Sequence, residues 1–216
     1  MNSEKTALTR LKFLSMTNAI YEGIVVYEIN NEKVADFLGV RCKQNTCVGV
    51  VYYPSRAYFF LKEKNNPLIK GSLIFTNHPE DLLDFFKNKE SALENKNNCY
   101  STRNSFLTIS YEGEARLLDN ERLKVRLILT RICEQRWENC LPLNRFTNLL
   151  LELLVNVTKQ KYYCLINDYE NYEKLKKINE YIIEVMNRHA KESQALRTIM
   201  IEAEEIKNKW STCNEQ

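Results

Sequence analysis

The last third of the chain lacks glycine and proline. The sequence of 216 residues contains only five glycines and four prolines, and none lies beyond Pro142. These two residues are the strongest local interruptions of regular structure. Residues after 142 are therefore predicted to be helical without a break, whereas the earlier part is predicted to turn often.

Other features are also scarce, and each absence excludes a class of protein. No apolar run reaches the roughly 18 residues needed to cross a bilayer, and the charged start MNSEKTALTRLKFL argues against a secretory signal. The net charge of +3 is too small to predict nucleic-acid binding by charge alone. There are only two histidines, His78 and His189, and no phosphate-binding or dinucleotide-binding glycine motif. We therefore predict no enzyme activity and no cofactor.

The cysteines are odd in number and irregular in spacing. In a chain without an export signal they are interpreted as reduced thiols that mostly fill the core. Neither of the two closer pairs has a histidine at zinc spacing, so no metal site is predicted. The seven are Cys42, Cys47, Cys99, Cys133, Cys140, Cys164 and Cys213.

Residues 1–141 are predicted to form a β-rich head. Short β-branched and aromatic stretches alternate with turn signals such as Asn30–Asn31 and Asp119–Asn120. The pattern predicts an antiparallel sandwich or barrel of seven or eight strands. TRLKFLSM near the start is interpreted as a strand, although a short helix is left open. The stretches that predict strands are IYEGIVVYEI, VADFLGVRC, CVGVVYY, AYFFLKE, IKGSLIFTN, NSFLTISYEGEARLL and RLKVRLILTRI.

One helix is predicted between these strands. Asn77 is its candidate cap, Pro79 stands early, and Glu80 and Asp81 lie in the first turn, where acidic residues are favourable. A second boundary is predicted near Pro142, with Asn139 as a candidate cap. The predicted domains are thus a head (1–141), a stalk (142–212) and a short tail (213–216), which gives an α+β fold.

The stalk carries an apolar seam at coiled-coil spacing. Nine of eleven positions taken alternately three and four apart from Leu175 to Trp210 are apolar, and the exceptions are His189 and Glu192. This predicts a parallel coiled-coil dimer, although a trimer is left open. The predicted dimerisation residues are Leu175, Ile178, Ile182, Val185, His189, Leu196 and Ile199.

Alternatives to a continuous coil remain open at this stage. The stripe could pack back on the head, although a helix from 143 to 210 would be on the order of 100 Å long. The polar positions His189 and Glu192 could fix register, or the helices could separate there. The seam also loses phase near Asp168 and Asn171, where a tyrosine-rich segment is either a neck or a docking site.

A β-rich head that continues into a long coil resembles the XRCC-four, XLF and PAXX superfamily of end-joining scaffolds, whose head-and-stalk plan centriolar SAS proteins share. LTRLKFLSMTNAIYEGIVVYEI is similar to that family's first two strands, and NSFLTISYEGEARLLDNERLKVRLILTRI to its last strands. WENCLPLNRFTNLLLELLVNV resembles the point where the family's chain leaves its sheet and enters the helix. The helical insert at Pro79 resembles the helix that the family carries between strands.

The resemblance implies a non-enzymatic, nuclear scaffold of double-strand break repair. The coil would homodimerise and bind a DNA ligase with BRCT repeats through Leu196, Ile199, Ala203, Ile206 and Trp210, and the head would bind a paralogous head. Lys174, Lys176 and Lys177 could make weak DNA contacts, and no membrane association is expected. The alternatives are a structural protein of a centriole or kinetochore, which would be cytoplasmic, and a small-ligand or enzymatic sandwich whose helix only oligomerises it.

Overall fold

Six of the strands close into an antiparallel barrel. The structure is a computed structural model that describes residues 20–65, 67–96, 98–136, 138, 145–191 and 193–210. The barrel order is β1-β2-β3-β8-β7-β4, and β5 and β6 form a separate two-stranded sheet. The strands are β1 (Tyr21–Ile29), β2 (Glu32–Lys43), β3 (Thr46–Tyr52), β4 (Leu68–Phe75), β5 (Glu94–Lys96), β6 (Cys99–Ser101), β7 (Leu107–Asp119) and β8 (Arg122–Gln135).

The interior of the barrel is filled by alternate residues of these strands. On β8 the side chains of Leu123, Val125, Leu127 and Leu129 are buried, and the residues between them are exposed. This is the two-residue period of a strand with one wet face. The β1–β2 hairpin closes with Asn30 and Asn31, both at positive φ (51° and 69°), as a two-residue hairpin turn requires.

The helices are α1 (Arg56–Glu63), α2 (Pro79–Asn88), α3 (Arg145–Leu165), α4 (Tyr169–Ala190) and α5 (Gln194–Trp210), with a 3-10 helix at Lys89–Ala92. Contacts divide the described residues into two units. The barrel unit runs up to Asn77 and resumes at Asn88. The helical unit comprises His78–Lys87 and the three helices that follow residue 144.

The prediction of a strand at AYFFLKE is wrong, because these residues belong to α1. The hydroxyl of Ser55 accepts a hydrogen bond from the backbone N–H of Tyr58 at 3.1 Å, which caps the helix start. Ala57, Tyr58 and Leu61 form its buried face. Successive aromatic residues favour strands intrinsically, but here the cap and the helical spacing of the buried residues prevail.

The prediction of one long helix is also wrong. The first break follows α3, where Asn167 has a φ of 58° and ends the helix in the left-handed conformation. Asparagine tolerates this conformation better than most residues do. Asp168 then caps α4 by accepting a hydrogen bond from the Asn171 N–H at 3.2 Å. The change of seam phase at this point therefore marks the end of a helix.

The second break follows Ala190. The N–H of Ser193 donates to the Ala190 carbonyl at 3.2 Å, and the Ser193 hydroxyl accepts from the Leu196 N–H at 3.3 Å, which starts α5. The helices α3, α4 and α5 pack against one another. Their apolar stripes are thus buried within one chain, and the predicted parallel coiled coil is wrong. The buried residues include Leu153, Leu154, Ile182, Met186, Ile199 and Ala203.

The interpretation of the cysteines as reduced thiols is wrong for five of them, since Cys164 is disulfide-bonded in addition to two pairs. Cys42 and Cys47 form a disulfide across the β2–β3 hairpin, where they are directly opposite, and Cys99 and Cys133 form another. In the part of the chain that the structure describes, no helix has the length and hydropathy to span a membrane.

Several sequence predictions lie outside the described residues. They are the strand before residue 20, the cap at Asn139, the role of Pro142, the head–stalk boundary at 141/142, Glu192 and the tail 213–216. The three-part division of the chain therefore stays a prediction.

Candidate functional site on the outer wall of the barrel

Strands β3, β8 and β7 present a regular grid of side chains on the outside of the barrel. Register places Arg126 of β8 between Val48 of β3 and Glu114 of β7. One step along the wall, Lys124 lies between Val50 and Arg116. Because side chains alternate across a strand, these residues share the outer face while their sequence neighbours fill the core.

Two rows of this grid form a depression of about 360 Å³. We call it the basic depression, and its lining residues are Val48, Glu114, Arg116, Lys124 and Arg126. Three cations and one carboxylate give the lining an excess of two positive charges. It therefore combines positive potential with a small apolar surface on a rigid sheet, which suits an anionic ligand.

The cations of the basic depression differ in how far they are neutralised. The Arg116 guanidinium lies 2.8 Å from the Glu114 carboxylate. Within the described ranges, neither Lys124 nor Arg126 has a carboxylate at ion-pairing distance. Both are exposed on β8. These two side chains are therefore available to an incoming anion without losing an existing ion pair.

Gly113 allows the wall to close at this point. A Cβ atom at Gly113 would lie 2.1 Å from the carbonyl oxygen of Arg126, which no side chain tolerates. The glycine therefore permits β7 to approach β8 closely, next to Glu114, in a ladder with register shifts on both sides. The close approach helps to fix the position of Arg126 relative to the neighbouring strand.

The hairpin end of the wall differs in character. Here Arg122 of β8 is opposite both Tyr52 of β3 and Asp119 of β7. The Arg122 Nε donates to the Asp119 carboxylate at 2.7 Å, and this hydrogen bond lowers the pKa of Asp119. Arg122 is thus already neutralised, whereas the Tyr52 ring beside it is 58% exposed.

A second polar cluster lies between β2 and the 3-10 helix of the barrel unit. The Nζ of Lys89 is 3.7 Å from the Oδ1 of Asp36. The Glu90 carboxylate accepts hydrogen bonds from the Ala35 N–H (2.9 Å) and from Arg56 (3.1 Å). Because β3 pairs with β2 only from Val40 onward, Glu90 binds a stretch of β2 that lacks a strand partner on that side. The cluster therefore holds the 3-10 helix on this edge.

Burial shifts the pKa values of both Asp36 and Lys89. It raises the pKa of the Asp36 carboxyl and lowers the pKa of the Lys89 ammonium, and each partner's charge opposes the other's shift. Nearby, the Tyr27 hydroxyl is fully buried and has no hydrogen-bond partner among the described residues. Lys89 has a φ of 49°, a conformation that non-glycine residues rarely adopt. We interpret this cluster as structural, since its contacts hold the 3-10 helix against β2.

Metal-binding groups are not brought together in the described ranges, where no three histidine, cysteine, aspartate or glutamate side chains converge.

The predicted dimerisation residues occupy different environments within the helical unit. Ile182 and Ile199 are buried, Leu175, Val185 and Leu196 are half-buried, and Ile178 and His189 are exposed. The face that α4 buries instead passes through Tyr172, Asn179, Ile182, Met186 and Ala190. The stripe that α4 buries is thus offset from the predicted coiled-coil seam, although the two share Ile182.

The predicted ligase-binding residues pack inside the helical unit. Ala203 and Ile206 are buried on α5, together with Ile199. Trp210 lies with its ring 5.0 Å from that of Phe86 on α2, and the Nζ of Lys161 on α3 lies 4.7 Å over it. Contacts within the chain therefore account for this aromatic side chain, which the sequence pattern suggested as an anchor for a partner.

The predicted DNA contacts are largely neutralised. Lys174 lies 2.6 Å from Glu170, and Lys176 lies 3.7 Å from Glu173, both on α4. Only Lys177 is exposed without a described ion pair. None of these lysines belongs to the basic depression. Sequence reasoning passed over that depression, although the alternating basic residues of RLKVRLILTRI were a usable signal for Lys124 and Arg126.

Comparison with known proteins shows a fold but no family. No family model matches the chain, and no curated protein matches it. Among solved structures, the FMN-bound protein MM1853 from Methanosarcina mazei, of family model DUF447, matches with a TM-score of 0.63 at 17% identity. The match covers 91% of this chain and 99% of that one.

Two further structures are less similar. The flavin reductase HpaC, complexed with NADP+, has a TM-score of 0.40 at 10% identity and covers 61% of this chain and 87% of its own. The flavin reductase PheA2 has a TM-score of 0.36 at 9% identity, with coverage of 58% and 87%. Both likenesses are too weak to support an argument about this chain.

The resemblance to end-joining scaffolds is therefore wrong. Its basis was a head that continues into one long coil, whereas the chain has the barrel fold of the methanogen protein and three separate helices. The functions inferred from the resemblance, in end joining or in a centriole or kinetochore, are therefore wrong as well. The partners inferred from it are also wrong, namely a second copy through the coil, a DNA ligase with BRCT repeats, a paralogous head and DNA.

Proposed function

We propose that this chain binds flavin mononucleotide (FMN) on the outer wall of its barrel, with the phosphate in the basic depression. The observation that carries the proposal is the depression itself, where Lys124 and Arg126 lie unpaired beside Arg116. The methanogen protein with the same fold is FMN-bound. The proposal therefore combines a chemically suitable site with a fold in which FMN binding occurs.

The donors of the basic depression fit a phosphate group. A phosphate monoester carries close to two negative charges near neutral pH, which matches the excess of two positive charges in the lining. Arginine offers a planar fork for two phosphate oxygens, and lysine contributes a point charge. Arg126 and Lys124 would hold the phosphate, and Arg116 would add a third contact at the expense of its pair with Glu114.

Flavin would supply electron-transfer chemistry when bound. The residues of the wall bind and orient it: the cations fix the phosphate end, and Val48 and Val50 present half-buried apolar surface beside them. The expectation of a scaffold depended on the stalk and has lost that support, whereas the prediction of no enzyme activity was based on the lack of catalytic motifs. A flavin held on this wall is consistent with an enzyme or with a flavin-binding protein.

Titration of the purified full chain with FMN and with riboflavin tests the proposal. We expect FMN to bind more tightly, because riboflavin lacks the phosphate. The double variant Lys124→Ala/Arg126→Ala is expected to weaken FMN binding at least about tenfold, since hydrogen bonds to charged groups contribute about 1.5–3 kcal/mol each. Its effect on riboflavin binding is expected to be small.

The matched control removes two lysines elsewhere. Lys176→Ala/Lys177→Ala changes the net charge by the same amount on α4, outside the basic depression, and is expected to leave FMN affinity unchanged. No binding of FMN by the wild-type chain would refute the proposal. Equal affinity for FMN and riboflavin, unaffected by the double variant, would show that the basic depression does not hold the phosphate.

A further inference from the structure

The outward side chains of β3 form an apolar column beside the cations of β8. The column consists of Val48, Val50 and Tyr52, of which the valines are half-buried and the tyrosine is exposed. Each is directly opposite a cation, namely Arg126, Lys124 and Arg122 in the same order. A flat apolar ligand with an anionic end could therefore contact both columns at once.

The two ends of the wall are not equivalent. At the far end, the row beyond Arg126 contains Ile128 with Glu112 across the β7–β8 ladder, and it has no aromatic residue. At the hairpin end, the row contains Tyr52, and Leu118 nearby on β7 is 52% exposed. Exposed aliphatic surface is present at both ends, since Ile128 is 39% exposed, but the exposed aromatic ring of Tyr52 lies at the hairpin end.

The charges also orient the ligand. Arg122 is paired with Asp119, so the cation nearest to Tyr52 is neutralised. The unpaired cations, Lys124 and Arg126, lie one and two rows away from it, which is roughly 7 to 13 Å along a strand that rises about 3.3 Å per residue. A phosphate therefore prefers the middle of the wall, and the aromatic part of the same molecule extends toward Tyr52.

We propose that Tyr52 is the stacking residue of the flavin site and that the isoalloxazine ring lies over Tyr52 and Val50 at the hairpin end of the wall. This inference depends on the proposed FMN binding and adds the orientation of the ligand. An aromatic ring is a suitable platform because offset stacking adds attraction beyond the area buried. Tyr52 is thus the residue that recognises the ring, while Lys124 and Arg126 recognise the phosphate.

The test separates the two ends of the ligand with three probes. FMN and riboflavin binding is followed by flavin fluorescence, and inorganic phosphate is used to displace FMN. Tyr52→Ala is expected to lower the affinity for both FMN and riboflavin at least about tenfold and to reduce the quenching of flavin emission. Its apparent affinity for inorganic phosphate is expected to stay at the wild-type value. Lys124→Ala/Arg126→Ala is expected to show a different pattern. It should lower the affinity for inorganic phosphate and for FMN and leave the affinity for riboflavin nearly unchanged.

Two further variants make the result specific. Tyr52→Phe keeps the ring and is expected to retain quenching and affinity. Tyr181→Ala removes a tyrosine of similar exposure (64%) from α4 and is expected to change nothing. Because Tyr52 is exposed, its replacement should leave the fold intact, which circular dichroism checks.

The outcomes distinguish this inference from the proposed function. One outcome is that FMN binds and the double cation variant weakens its binding, but Tyr52→Ala leaves flavin affinity and quenching unchanged. In that case the ring lies elsewhere, and this inference is overturned while the proposal of FMN binding stands. A second outcome is that Tyr52→Ala weakens the binding of inorganic phosphate as much as that of riboflavin. Tyr52 would then support the wall without contacting the ring, and this result also overturns the inference. If the wild-type chain binds neither flavin, both proposals fail.

Discussion

The Nζ of Lys89 lies 3.7 Å from the Oδ1 of Asp36, with 16% and 20% of the two side chains exposed. Removal of the lysine leaves a mostly buried carboxylate without its partner. We expect Lys89→Ala to lower the free energy of unfolding by about 2 kcal/mol, less than for a fully buried pair because both groups keep some contact with water. Urea unfolding near neutral pH measures this value.

The effect of Lys89→Ala should depend on pH. Burial raises the pKa of Asp36, so the folded state binds a proton more tightly than the unfolded state does. Loss of the Lys89 charge raises that pKa further, and the variant therefore loses stability as pH rises through it. We expect the destabilisation to shrink from about pH 8 to about pH 4. As a control, Lys174→Ala removes an exposed pair with Glu170 and should change stability by under about 0.5 kcal/mol.

Gly113→Ala tests the close approach of β7 and β8. The added Cβ would lie 2.1 Å from a backbone oxygen that cannot move independently. We expect the free energy of unfolding to fall by at least about 2 kcal/mol, with FMN binding weakened as well because the neighbouring cations shift. Gly39→Ala is the control, since its Cβ would meet only side-chain atoms of Glu22 and Ile20. Equal stability of the two variants would contradict the prediction.

Asp168 should make the start of α4 sensitive to acid. Its carboxylate accepts hydrogen bonds from the side chain (2.7 Å) and the N–H (3.2 Å) of Asn171, which lowers its pKa. The stabilisation is therefore complete above the ordinary value of 3.8 and is lost as pH falls through the lowered pKa. We expect Asp168→Ala to reduce helical circular dichroism near neutral pH. Asp168→Asn should keep the cap and remove this part of the acid dependence.

The Cys42–Cys47 and Cys99–Cys133 disulfides should differ in their contribution to stability. Cys42 and Cys47 are separated by 5 positions, and Cys99 and Cys133 by 34. Cross-links that close longer loops restrict the unfolded chain more, which gives about 2 and about 4 kcal/mol in the chain-entropy model. We expect Cys99→Ser/Cys133→Ser to lower the unfolding midpoint in urea more than Cys42→Ser/Cys47→Ser. The reverse order would mean that native-state packing, not loop length, decides.

FMN binding should weaken as salt concentration rises. The cations of the basic depression are exposed, and the Debye length falls from about 10 Å at 0.1 M salt to about 3 Å at 1 M. We expect FMN affinity to fall severalfold over this range while riboflavin affinity changes little. Calorimetric titrations of both ligands at the two salt concentrations provide the comparison. A parallel fall for both would point to a general effect on the barrel.

Some elements could be predicted because their signals are local. The basic–apolar alternation of RLKVRLILTRI indicated a strand, and β8 confirms it. The turn at Asn30–Asn31 is confirmed by two left-handed residues, and the acidic first turn after Pro79 is confirmed by α2. In each case a propensity, a period or a capping preference acts over a few neighbours, so nothing distant was needed.

The prediction for the C-terminal part was wrong for a physical reason. A stripe with a period near 3.5 residues is buried equally well against a second chain or against helices of the same chain, and the sequence does not distinguish these. Absence of glycine and proline did not guarantee continuity, because Asn167 ends a helix with its own left-handed backbone and Asp168 and Ser193 cap the next ones. The phase change near Asp168 and the polar position His189 lay close to the two breaks.

By itself, the sequence determined which residues could alternate, cap and turn, and it made Lys124 and Arg126 neighbours on one face of a strand. Only the tertiary structure decided what lies beside them. Val48 and Glu114 reach Arg126 through the registers of β3 and β7 with β8, and these registers are set when the barrel closes around its core. A binding surface built across three strands depends on distant pairing, which local preferences do not specify.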